Sequence, residues 1–157
     1  MEVTRTFDIV ARMAAMFPKD DALAVKRNGR WEKFSTAEYR DKVDLFSYGL
    51  LSMGLQKGDK IFTISNNRPE WNIMDMGMSQ AGGIHVPVYP NNSDDEFLFI
   101  LSHSDARFVI VSSQELYQKI KPLADQTPNV EKVFTIDKVE GAPHFDDIIE
   151  AGRKNKD

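Results

Sequence analysis

With 157 residues the chain is long enough for one domain that buries roughly 70% of its unfolded surface. Its 41% hydrophobic and 28% charged residues make an ordinary globular composition, and a net charge of −4 with scattered basic residues gives no reason to expect nucleic acid. The absence of cysteine excludes disulfides, thiolate metal ligands and a cysteine nucleophile together.

The opening residues already carry Glu2, Arg5 and Asp8, so they do not read as a signal peptide. The longest uncharged run, Met76 to Ser93, is interrupted by glycine and proline and is too polar to span a bilayer. The chain reads as cytoplasmic, with contact with a membrane surface left open. Thr6 to Phe17 predicts a first helix, with Val10, Met13, Ala14 and Phe17 on one face and Pro18 as its stop. Ala22 to Arg27 and Arg30 to Phe34 flank Asn28-Gly29, the pair that accepts a type I′ turn, and predict a hairpin. Ser35 opens a long helix, with Glu38 completing a capping box and Tyr39, Val43, Phe46 and Leu50 on the buried side. Gly54 is its expected left-handed stop, with Leu55 available for the following apolar contact.

From there strands and helices alternate. Strands are expected at Ile61 to Ser65, Ile84 to Val88, Phe108 to Val111 and Val133 to Ile136. Helices are expected at Pro69 to Ala81, Asp94 to His103 behind a Ser93–Glu96 capping box, and Gln114 to Ala124. This spacing implies right-handed crossovers: a three-layer α/β/α domain on a mainly parallel sheet, preceded by a helix and a β-hairpin. After about Ile149 the sequence turns polar with no cap or stop, and residues 150–157 are expected to be a frayed tail at the end of a fragment.

Few residues offer chemistry. Gly77-Met78-Ser79-Gln80-Ala81 resembles a nucleophile elbow with its last glycine replaced, but its serine falls within a helix, not at a strand-to-helix turn. No two of the three histidines have metal-site spacing, and His85 in an apolar strand reads as a satisfied core or pocket-wall residue. No glycine-rich loop with lysine occurs anywhere. A site is suggested by position alone, because ligands gather at the carboxyl ends of strands in open α/β sheets. Three such ends are polar: Asn66-Asn67-Arg68, Tyr89-Pro90-Asn91-Asn92 and Ser112-Ser113. Ordinary turn and capping roles explain the first and third equally well, so Tyr89 and Asn91 become the candidate substrate-binding residues.

Longer strings add a family. Leu55 to Ile61 (LQKGDKI), Asn66 to Trp71 (NNRPEW), Ala81 to Pro90 (AGGIHVPVYP) and His103-Ser104 before Phe108 to Val111 resemble, in order and spacing, the amino-terminal part of long-chain acyl-CoA synthetases. Phe34 to Tyr39 and Gln80 to Pro87 resemble the first two core motifs of the wider adenylate-forming superfamily. The resemblance covers about Arg5 to Asp137 and implies a ligase that activates a fatty acid with ATP and magnesium, then passes the acyl group to coenzyme A. It implies that this chain is the amino-terminal part of the enzyme's large domain. The phosphate loop, magnesium carboxylate and catalytic lysine would then lie beyond Asp157, leaving no catalytic or metal residue here, no bound cofactor and an inactive segment open to self-association. Asn91 departs from the threonine of many relatives, and Tyr117 and Ile120 stand where acetyl-CoA synthetases carry coenzyme A-binding arginines. A non-catalytic ligand-binding or packing module, or an enzyme for another carboxylic acid, fits the same residues.

Overall fold

A computed structural model describes residues 2–156. The first helix, α1 (Asp8–Met16), is shorter than its apolar period suggests. Only Val10 is buried, while Phe17, expected on the packed face, is 58% exposed. The hairpin follows as predicted: β1 (Leu23–Arg27) pairs antiparallel with β2 (Arg30–Phe34), and Asn28 and Gly29 both take the positive φ that a type I′ turn demands.

Helix α2 (Thr36–Ser52) begins with the full Ser35–Glu38 capping box and buries Tyr39, Val43, Phe46 and Leu50. It ends in a Schellman motif. Gly54 at φ 86° lets its own N–H reach Leu51 O, and the Leu55 N–H reaches Leu50 O.

Four strands then form one parallel sheet in the order β4-β3-β5-β6: β3 (Lys60–Ile64), β4 (Ile84–Val88), β5 (Ala106–Val111) and β6 (Lys132–Thr135). The connecting helices are α3 (Pro69–Gln80), α4 (Asp94–Ser104) and α5 (Gln114–Ala124). Alternate residues of β5 divide the core in two. Phe108 and Ile110 face α2 and α3, whereas Val109 and Val111 face α4 and α5 with Phe62, Phe97 and Ile120. The fold is the expected three-layer α/β/α unit. Ser79 lies inside α3, which removes the nucleophile-elbow reading, and Gly77 serves contact with Phe46.

The carboxyl end differs from the sequence expectation. A sixth helix, α6 (Phe145–Lys154), runs through the segment read as a frayed tail and buries Phe145, Ile148, Ile149 and Gly152. It packs along α2, where the two backbones approach so closely that a β-carbon on Gly49 or Gly152 would strike the opposite helix's backbone. His144 caps it: the Asp146 N–H donates to His144 Nδ1, and Nε2–H donates to the Ile136 carbonyl at 2.7 Å.

Candidate functional site

The chain runs from β3 to the edge strand β4 and then crosses back past β3 to β5, so the strand order reverses between β3 and β5. The loops leaving β3 and β4 enclose a cleft of about 490 Å³ at the carboxyl edge. One wall is polar, made by Ser65, Asn66 and Asn67. The other is apolar and aromatic: Trp71 from the first turns of α3, then Pro87, Val88, Tyr89 and Pro90 from β4 and its exit loop. None of these lining residues is charged. The cleft is therefore shaped for a neutral stretch of ligand with an apolar body and hydrogen-bonding groups on one side.

Tyr89 lines this cleft with its side chain 80% exposed, open to whatever enters. Asn91 sits one residue past the lining, exposed in the turn before the Ser93 cap of α4. The loop is anchored from behind by Lys119, whose ammonium donates to the Asn92 carbonyl at 3.0 Å and approaches Asp94 at 3.5 Å. Asn66 and Asn67, for which a turn role explains the sequence as well as a site does, join Tyr89 in one cleft. Ser113 caps α5 as a turn residue would, while the hydroxyl of Ser112 is buried without a partner.

Trp71 is the lining residue that residue-by-residue reading missed. It stands four residues before Asp75, a spacing that puts both side chains on the face of α3 toward β4. Between them sits His85. Its Nδ1–H donates to Asp75 Oδ1 at 2.8 Å, its Nε2 lies 2.7 Å from the Thr63 hydroxyl, and the Trp71 ring lies 5.3 Å from its own. Both ring nitrogens are satisfied and the side chain is nearly buried, as expected for a pocket-wall histidine. The buried Thr63 hydroxyl cannot meet a substrate, so the three groups brace the cleft wall instead of forming a nucleophilic triad.

Beside the cleft the β3–α3 loop is fixed by ions. Arg68 donates to Glu70 and Asp137, each at 2.9 Å, and Arg27 of the hairpin donates to the other oxygen of Glu70. Burial pushes the Glu70 carboxyl upward, but the bonds led by Arg68 outweigh it and hold Glu70 below the usual carboxylate range. This spent arginine explains why Asn66-Asn67-Arg68 presents no free cation to a ligand. Among the described residues no group of three or more histidines or acids converges on a point that would hold a metal ion.

A parallel sheet covered by helices, with a cleft at its carboxyl edge, is the α/β arrangement in which ligands commonly gather. Comparison with known proteins narrows that class. Residues 10–156 match the family described as AMP-binding enzyme, and the chain belongs to that family of adenylate-forming enzymes. It is 30% identical over 113 residues to a long-chain-fatty-acid–CoA ligase of Xenopus laevis, covering 72% of this chain and 15% of that protein. It is 35% identical over 103 residues to a 4-hydroxybutyrate–CoA ligase of Metallosphaera sedula, covering 66% of this chain and 18% of that one. The A domain of carboxylic acid reductase from Segniliparus rugosus, solved with AMP and a co-purified carboxylic acid, shares the fold with a TM-score of 0.79 at 16% identity, over 96% of this chain and 31% of its own. The chain thus spans less than a fifth of the length of either ligase.

Proposed function

We propose that this chain is the amino-terminal part of the large domain of a fatty acid–CoA ligase. In the reaction a fatty acid carboxylate attacks the α-phosphorus of ATP, forming an acyl adenylate and releasing pyrophosphate. The thiol of coenzyme A then attacks the acyl carbonyl, forms the thioester and releases AMP. Adenylation is needed because a carboxylate has no good leaving group until one of its oxygens is bonded to phosphorus. What supports the reading is the family match over residues 10–156 together with the fatty-acid ligase among its relatives.

The segment's share in that reaction is binding, not bond-making. Tyr89 and Asn91 are assigned to substrate binding, at the mouth of the uncharged cleft braced by Trp71 and His85. No residue of the chain is assigned a catalytic role, and no step passes here through the magnesium that accompanies ATP, since the described residues supply no cluster for it. A cytoplasmic setting fits the cysteine-free sequence.

The test is thioester formation by the protein continued to the length of its relatives, given ATP, coenzyme A and a panel of carboxylic acids. Long-chain fatty acids are expected to give the highest kcat/KM. Turnover of 4-hydroxybutyrate in their place would move the substrate class to that of the Metallosphaera relative and leave adenylation standing. In the same protein, Tyr89→Ala and Asn91→Ala should each raise KM for fatty acid or coenzyme A about tenfold with little loss of stability, the scale of one lost contact of ~1.4 kcal/mol. Wild-type kinetics in both variants would reduce the loop to a turn.

A further inference from the structure

The hairpin is the one strongly basic element in an acidic chain. Residues 22–34 carry Lys26, Arg27, Arg30 and Lys33 against Glu32, a net +3, while the chain as a whole is −4, so the rest carries −7. The antiparallel register sorts these side chains by face. Lys26 lies opposite Trp31 and Ala24 opposite Lys33, so these four share the outer face, and all four are exposed. Arg27 and Glu32 turn inward, ion-paired with each other and, through Arg27, with Glu70. Trp31 is 66% exposed, the most exposed large apolar side chain among the described residues after Tyr89. Lys33 meets Asp21 at 3.3 Å with both groups largely solvated, whereas Lys26 and Arg30 have no acidic partner among the described residues. At the turn Asn28, Arg30 and Trp31 border an open depression of about 590 Å³.

We propose that the outer face of this hairpin is a docking surface for an anionic phospholipid bilayer. An indole suits the water–hydrocarbon boundary because its ring is apolar and its N–H polar. Lysines on either side keep their charge at headgroup level while their methylenes follow the ring inward. The charge asymmetry orients the approach: the surface attracts Lys26 and Lys33 of the outer face and repels the −7 remainder. Nucleic acid fits less well, because so few cations on so small a face fall short of the phosphate contacts that binding requires. Leu23 and Ala24 at the hairpin base border a groove with Asn67, which also lines the cleft. Docking would therefore bring the cleft to the bilayer, where long-chain carboxylates partition. That last consequence rests on the proposed ligase function; the docking itself does not.

Co-sedimentation with vesicles tests the proposal on this chain as it stands. Vesicles of phosphatidylcholine with phosphatidylglycerol should pellet the protein at low ionic strength, with loss of binding as salt rises. Vesicles of phosphatidylcholine alone should leave it in the supernatant. Trp31→Ala and the pair Lys26→Glu with Lys33→Glu should each lower partitioning at least about tenfold, with circular dichroism showing the fold retained. In a Trp71→Phe background the remaining Trp31 emission should shift to the blue and resist iodide quenching on anionic vesicles, a readout that needs no charge variant to fold. Failure to pellet, an unshifted Trp31, or variants that bind like wild type would overturn it. Tighter binding to a DNA duplex than to the vesicles would overturn it in favour of nucleic acid.

Discussion

Histidine 85 holds the cleft wall by satisfying three neighbours at once: Asp75 and Thr63 through its nitrogens, and Trp71 against its ring. Removing it leaves a partly exposed carboxylate and a buried hydroxyl without that partner. His85→Ala should therefore cost about 1–3 kcal/mol in chemical denaturation, and it should alter the emission of Trp71 in a Trp31→Phe background. An unchanged midpoint and spectrum would mean that the brace is incidental. The sequence permitted part of this. An apolar alternation placed His85 in a strand, but nothing in it could name Asp75 and Thr63 as partners, because one comes from the face of the preceding helix α3 and the other from the neighbouring strand's register. Tyr89 was legible because a strand end is a place defined by the chain itself. Trp71 was not, because its role depends on how α3 leans on β4.

Among the elements, those specified by local chemistry were read closely and those specified by tertiary contact were not. Two capping boxes, the Asn-Gly turn and the Gly54 stop each lie within a few residues of sequence, and the structure reproduces all of them. Helix α6 escaped because its cap is a histidine, an unusual N-cap, and its polar last turn resembles a tail. Its period was present all the same: Phe145, Ile148, Ile149 and Gly152 follow the i, i+3, i+4, i+7 spacing. Gly152 carries the clearest consequence. Gly152→Ala would force apart two helices that touch backbone to backbone, and should destabilise the fold by about 1–3 kcal/mol or more, as overpacking does. An alanine variant as stable as wild type would contradict the contact with Gly49.

The ionic strap between hairpin and sheet gives a pH test at the same scale. Glu70 is held below its unfolded range, so its contribution is present above about pH 4.5 and is lost as pH falls through its folded value. Glu70→Gln should melt lower than wild type at pH 7, and the difference should close on acidification toward pH 3. A gap that persists at low pH would show that packing, and not charge, ties Arg27 and Arg68 together.

For the molecule as a whole, the exposed apolar residues indicate where further surface would be covered. Ile84 on the edge strand, Leu51 and Phe99 are each about half exposed or more. The edge is only partly blunted, since Pro87 removes one donor from β4. The isolated chain should therefore self-associate as concentration rises and bind a hydrophobic dye. Light scattering that shows a strict monomer at high concentration, with no dye binding, would count against this. No helix among the described residues is long and apolar enough to cross a membrane. Carboxylate-dependent exchange of labelled pyrophosphate into ATP measures the proposed adenylate formation without coenzyme A. The protein continued to its relatives' length should show exchange that depends on a fatty acid, and the 157-residue chain alone should show none above a blank. Exchange absent from the longer protein with every fatty, hydroxy and aryl acid supplied would contradict the account.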